Sequence, residues 1–68
     1  MVNVLKLKAA FVENGKTQAE VAKGIGMSET TFNRRLSKAE FGSDEIDALV
    51  KFLNIKEPVP IFFPDWVT

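Results

Sequence analysis

The sequence predicts an all-α fold, a compact bundle of four to five helices that ends in an apolar, extended C-terminal tail. Three observations favour it. Residues 3–54 contain no proline, apolar residues recur there at helical spacing, and glycine or a capping residue separates the segments. We therefore expect a helical domain over residues 1–54 and a tail over residues 55–68 that packs on it, makes a dimer, or does both.

The first helix is predicted from Asn3, a good N-cap residue, to about Asn14. Asn14 is followed by Gly15, a strong stop signal because glycine readily takes the left-handed conformation that ends helices. At about 100° per residue the helix has one core-facing side, formed by Val4, Leu7, Ala10, Phe11 and Asn14.

Two short helices follow, with the proportions of a helix-turn-helix. Thr17 and Glu20 form a capping box that opens a helix over about 18–25, and Ser28 caps another over 29–37. Gly26 supplies the turn, where positive φ costs little only for glycine. The small core under the crossing is predicted from Val21, Ala22, Ile25, Met27, Phe32 and Leu36.

A fourth helix is predicted to open at Ser43 and to end at Asn54. Its apolar stripe is the cleanest in the chain and consists of Ile46, Leu49, Val50 and Leu53. Its first turn carries Asp44, Glu45 and Asp47, which we interpret as favourable to the helix dipole. A cation site is a poorer interpretation, since no glycine-bent calcium loop surrounds them.

The tail is half apolar, and its prolines favour an extended chain. Two roles stay open for it: covering the core, or forming a dimer surface in which residues 59–63 pair as an edge strand or dock on a partner. Phe52, off the inner stripe of the fourth helix, would join either. The apolar tail residues are Ile55, Val59, Ile61, Phe62, Phe63, Trp66 and Val67.

The composition excludes several classes of protein. The chain has neither cysteine nor histidine, so disulfides, the usual zinc sites and histidine-based triads are ruled out. No apolar run approaches the roughly 20 residues that span a bilayer. Lysines interrupt the N-terminal segment, so it lacks the uninterrupted apolar stretch of a signal peptide. We expect a cytoplasmic module without cofactor, metal or membrane contact, and no arrangement of Ser, Lys and Glu suggests an enzyme.

Residues 17–32, TQAEVAKGIGMSETTF, resemble the helix-turn-helix signature of phage Cro and repressor proteins. The resemblance extends more loosely over residues 4–54. It implies a four- or five-helix bundle that binds operator DNA, usually as a dimer, and small phage proteins of this kind commonly end in a Phe-rich tail. Two departures are Lys16, at a position usually apolar, and Leu36, four residues after Phe32 rather than three.

The helical geometry of the third helix indicates which residues would meet DNA. With Phe32 directed to the core, Thr30 and Arg34 point outward. Arginine can pair with guanine, asparagine with adenine, and threonine methyls contact thymine. The resemblance likewise implies base contacts from Glu29, Thr30, Asn33 and Arg34, and a phosphate contact from Gln18. The full set of expected phosphate contacts is Lys16, Gln18, Ser28, Thr31, Arg35 and Lys38.

The function predicted from the sequence is a sequence-specific, double-stranded-DNA-binding transcriptional regulator in a bacterial host cytoplasm. Its recognition helix, about residues 28–37, would enter the major groove, and a homodimer would bind a two-fold operator. The alternative is an antirepressor, which uses the same scaffold to bind another phage regulator; the zero net charge and the Phe- and Trp-containing tail favour it. Charge does not exclude DNA, because residues 15–38 carry +3 and residues 39–50 carry −4.

Overall fold

Five α-helices and one 3₁₀ turn make up the fold in a computed structural model, which describes residues 1–66. No strand occurs in that range, so the predicted all-α class is confirmed. Val67, counted with the apolar tail, lies outside the described residues. The helices are α1 (Val4–Glu13), α2 (Gln18–Gly24), α3 (Glu29–Lys38), α4 (Ser43–Phe52) and α5 (Pro58–Phe62), and the 3₁₀ turn covers Pro64–Trp66.

The first three helices begin at the predicted caps. Asn3 Oδ1 accepts from the Lys6 N–H at 3.1 Å. Thr17 Oγ1 accepts from the Glu20 N–H at 3.1 Å, and Glu20 Oε1 accepts in return from the Thr17 N–H at 2.8 Å. Hydrogen bonding from the Thr17 backbone N–H and, to a smaller extent, from the Thr17 hydroxyl favours the charged carboxylate and lowers the pKa of Glu20.

The fourth helix begins at Ser43, as predicted, and Gly42 stands at its N-cap. The Gly42 N–H donates to Glu45 Oε1 at 2.7 Å, so the third helical residue closes the helix end instead of a serine hydroxyl. A capping box needs an acceptor at its third helical position, and Glu45 meets that requirement for Gly42.

Two glycines make the turns on either side of α2. Gly15 has φ of +64° and Gly26 has φ of +73°. A Cβ atom at either position would meet nothing within 4 Å, so backbone conformation rather than space favours glycine there. Both turns were predicted, and both are confirmed.

The core is built around Phe32 of α3, which is fully buried. Its ring centroid lies 5.9 Å from that of Phe11 on α1 and 5.8 Å from that of Phe41, before α4. Each fully buried side chain of this size contributes about 1.5–3 kcal/mol. The other buried side chains that unite the helices are Leu7, Val21, Ala22, Leu36, Leu49, Leu53 and Phe62.

The tail is not extended, and that prediction is wrong. Pro58 and Pro60 both lie in the first turn of α5, where backbone N–H groups have no partner within the helix, so proline removes no hydrogen bond. Phe62 is buried, and the Ile61 carbonyl accepts from the Asn3 N–H at 2.7 Å. The helix α5 therefore packs on α1 and completes the core.

Candidate nucleic-acid interface

One face of α3 is anchored in the core and the opposite face is open. Phe32 and Leu36 are buried. The exposed residues lie roughly 100–240° away from Phe32 around the helix. They are Thr30, Asn33, Arg34, Ser37 and Lys38. This face carries hydroxyl, amide and cationic groups and no apolar side chain, so it can exchange hydrogen bonds with a polar partner.

Ser37 belongs to this face although sequence reasoning missed it. It is exposed and follows Asn33 by four residues and Arg34 by three, which puts it directly beside both. Helical spacing alone contained that signal. Glu29, at the first position of α3, is exposed as well.

A side-chain hydrogen bond joins α2 to α3 at this surface. Gln18 Nε2, at the first position of α2, donates to Asn33 Oδ1. An amide oxygen has two lone pairs, so Asn33 Oδ1 can accept from one further donor, and the same side chain has two N–H groups that can donate. The bond holds the Asn33 amide in one orientation on the exposed face.

The turn before α3 is closed by two hydroxyl groups. Ser28 Oγ accepts from the Thr31 N–H at 3.2 Å and donates to Thr31 Oγ1 at 2.9 Å. This confirms Ser28 as the cap. Its proton is used inside the turn, so the hydroxyl proton of Thr31 is the one left to donate outward.

Lys8 on α1 is a second residue that sequence reasoning missed. Together with Gln18, Asn33 and Ser37 it lines a shallow depression between α1, α2 and α3. Its side chain brings a cation to the edge of the open face of α3. Its place beside α3 depends on how the helices pack in the tertiary fold, so no local pattern around Lys8 predicts it.

Arg35 lies apart from this group. Its Nε donates to Glu45 Oε2 at 3.1 Å, and its second guanidinium nitrogen lies 3.1 Å from the same oxygen. Glu45 also receives the Gly42 N–H, so one carboxylate ties α3 to the start of α4. Arg35 therefore fixes the orientation of α3 against the start of α4. Its guanidinium is less free to reach a phosphate than the side chain of Arg34 or Lys38.

Lys16 is also set apart. Its Nζ lies 5.9 Å from the centre of the Phe52 ring, a cation–π contact. The same ring covers Gly24, where a Cβ atom would come within 2.3 Å of it. Gly24 and Gln18 project about 120° apart around α2. Phe52 thus joins α4 to α2, and Lys16 lies on the side of α2 away from Asn33.

The tail retains an apolar patch of three residues, Val59, Phe63 and Trp66. Val59 and Phe63 are partly exposed, and the Trp66 side chain is 74% exposed. The rings of Phe63 and Trp66 stack with centroids 4.9 Å apart. These three side chains, unlike Phe62 and Ile61, are not used to close the core.

Over residues 1–66 no group of acidic side chains is arranged to hold a metal ion, and no helix there is long and apolar enough to cross a membrane. A comparison with protein-family models, with curated proteins and with solved structures finds no match to this chain.

Proposed function

We propose that this protein is a sequence-specific regulator that binds double-stranded DNA through a helix-turn-helix formed by α2 and α3. In the proposed complex α3 enters the major groove, a homodimer binds a two-fold operator, and occupancy represses or switches a promoter. The observation that carries the proposal is the open polar face of α3, opposite the core anchors Phe32 and Leu36.

The dimensions and chemistry of α3 suit a major groove. An α-helix with its side chains is about 10–12 Å across, and the major groove is about 12 Å wide. Arg34 supplies the fork that pairs with guanine, and Asn33 the amide that pairs with adenine. In such interfaces base contacts specify sequence, whereas phosphate contacts from Lys38, Lys8 and Thr31 would position the helix.

The anchoring of α3 also supports this role. A recognition helix must keep its side chains in place within a fraction of an ångström to discriminate bases. Arg35 fixes α3 to α4, and the Gln18–Asn33 bond fixes it to α2. Both contacts lie beside the open face and leave it uncovered.

The test is selection of binding sites from random double-stranded DNA at two salt concentrations. We expect enrichment of one motif, built of two related half-sites, and affinity that falls as salt rises. The motif selected by Arg34→Ala should lack a base preference at one base pair of each half-site. Lys56→Ala, which removes an exposed lysine on the side of α1 opposite Lys8, is the charge-matched control and should keep it. Failure to enrich any sequence would refute the proposal.

A second candidate is a protein-interaction regulator of the antirepressor type. The exposed Trp66, stacked on Phe63 beside Val59, favours it, since an apolar patch commonly marks a protein contact. Truncating the tail would not test this function, because Phe62 is part of the core. Trp66→Ser is the appropriate variant. If it abolishes binding to a regulator partner and leaves DNA binding intact, the second candidate is favoured. If it affects neither partner binding nor DNA binding, the apolar patch is excluded as the binding surface.

A further inference from the structure

The helix α1 is apolar on two opposite sides. Leu7, Ala10 and Phe11 face the core and are buried. Leu5 and Val12 point the other way, 82% and 78% exposed, with the exposed Ala9 between them. These three residues follow the i, i+4, i+7 spacing of a single helix face, which we name the outer face of α1. A helix that is apolar on both sides is normally covered on both.

The two flanks of the outer face carry different charges. On one flank Lys8 lines the depression that contains Gln18 and Asn33. On the opposite flank Lys6 and Glu13 line a groove beside the tail. A partner that covers the outer face must therefore lie beside two different flanks. One flank is basic, with Lys8, and the other has Lys6 near the start of α1 and Glu13 at its end.

A second copy of α1 in antiparallel orientation complements the apolar residues and the flank of mixed charge. Leu5 and Val12 lie four residues before and three residues after Ala9, so each Leu5 would pack on the partner's Val12 and the two Ala9 residues would allow close approach. Lys6 and Glu13 lie three residues before and four residues after Ala9, so each Lys6 would face the partner's Glu13. The two Lys8 side chains would share the other flank, where their repulsion weakens the pair. A parallel pair would instead bring Lys6 beside the partner's Lys8, which is repulsive.

We propose that the outer face of α1 is a homodimer interface in which two α1 helices pack antiparallel about a two-fold axis at Ala9. The occupant is thus a second copy of this chain, identified by the self-complementary order of its charges and apolar groups. The interface is small, since each helix contributes about 15 Å of length, and it falls at the low end of the sizes seen in specific complexes. The free dimer should accordingly be weak, with a dissociation constant in the range of about 10–500 μM.

The orientation that follows suits an operator, a point that rests on the proposed function. In an antiparallel pair the two-fold axis keeps like flanks together, so Lys8, Gln18 and Asn33 of both copies would face the same side. With contacting helices roughly 8–10 Å apart, three such separations in line would put the two α3 axes about 24–30 Å apart, somewhat less than the 34–36 Å of one turn of DNA. The two Lys8 side chains would then meet the phosphate backbone, which offsets their mutual repulsion.

Sedimentation equilibrium of the whole chain without DNA, from about 1 μM to 1 mM, tests the interface independently of the function. Leu5→Ser and Val12→Ser replace exposed side chains, so the fold should persist, as circular dichroism would verify. Each should weaken dimerisation at least tenfold. Trp66→Ser, at an equally exposed apolar residue of the tail patch, is the matched control and should leave the dimer unchanged.

Charge reversal tests the antiparallel register. Lys6→Glu alone and Glu13→Lys alone should each weaken the dimer several-fold, and the double variant should restore it. A monomer at 1 mM, a dimer lost only with Trp66→Ser, or a double variant that fails to recover would each overturn the proposal. A dimer that behaves as stated but selects no DNA sequence would refute the proposed function and leave the interface standing.

Discussion

The hydrogen bond between Gln18 and Asn33 makes a quantitative prediction about operator binding. Gln18→Ala removes the donor that fixes the Asn33 amide on the open face of α3. The variant should fold normally, because Asn33 is exposed, the bond is neutral, and alanine is a good helix former at the start of α2. We expect the free energy of unfolding to change by no more than about 0.5 kcal/mol.

The loss of operator affinity should be larger than the loss of stability. Without Gln18, ordering the Asn33 side chain on binding costs about 0.5–1.5 kcal/mol. The expected phosphate contact of Gln18 contributes about a further 1 kcal/mol. The sum, about 2 kcal/mol, is roughly a thirtyfold increase in the dissociation constant, or Kd.

A double-mutant cycle separates these two contributions. Once Asn33→Ala is present there is no amide to order, so Gln18→Ala should then cost only the phosphate contact. Fluorescence anisotropy with the selected operator should give a coupling energy of about 0.5–1.5 kcal/mol between the two sites. Additivity within about 0.3 kcal/mol would show that the hydrogen bond does not organise the recognition surface, and the reasoning would fail.

Three further predictions follow from the same structure. Arg34→Ala should cost about 1–3 kcal/mol on the operator and relax one base preference. Lys38→Ala removes one phosphate contact from each copy, so it should weaken all sequences alike and reduce the salt slope of the dimer by about 2, as anisotropy titrations at several salt concentrations would measure. Phe62→Ala should destabilise the fold by about 3–5 kcal/mol in urea unfolding, and Trp66→Ala by less than about 0.5 kcal/mol, because only Phe62 is buried. The pKa of Glu20 is lowered in the folded state, so its contribution to stability is present above its unfolded pKa and is lost as pH falls through the folded pKa. Thermal unfolding across acidic pH should therefore depend less on pH for Glu20→Gln than for the unmodified protein.

Local signals in the sequence were sufficient for α1 to α3, because their ends depend on neighbouring residues alone. Thr17 and Glu20 cap α2 wherever the rest of the chain lies, and Gly26 adopts positive φ for reasons internal to the turn. The same spacing rules identified Phe32 as the core residue of α3 and so its open face.

What the sequence could not predict depends on distant parts of the chain. The helix α5 is only five residues long and contains two prolines, so packing on α1 rather than local propensity stabilises it. Lys8 reaches the open face of α3 through the way α1 packs, and Arg35 is drawn to Glu45 by the position of α4. These are tertiary relations between residues that are separated by at least one turn or helix.

The zero net charge has a consequence for how the proposed complex would discriminate. Arg35 is paired with Glu45 inside the fold, so the surface around α3 carries Lys8, Arg34 and Lys38 against Glu29, a net charge of +2. Because Arg34 is assigned to guanine, Lys8 and Lys38 are the charged phosphate contacts of each copy, and a dimer should show a slope of log Kobs against log salt of only about −4. Non-specific binding is almost wholly electrostatic, so it would be weak. Selection of an operator would then depend on base contacts from α3 and on joining two half-sites through one dimer.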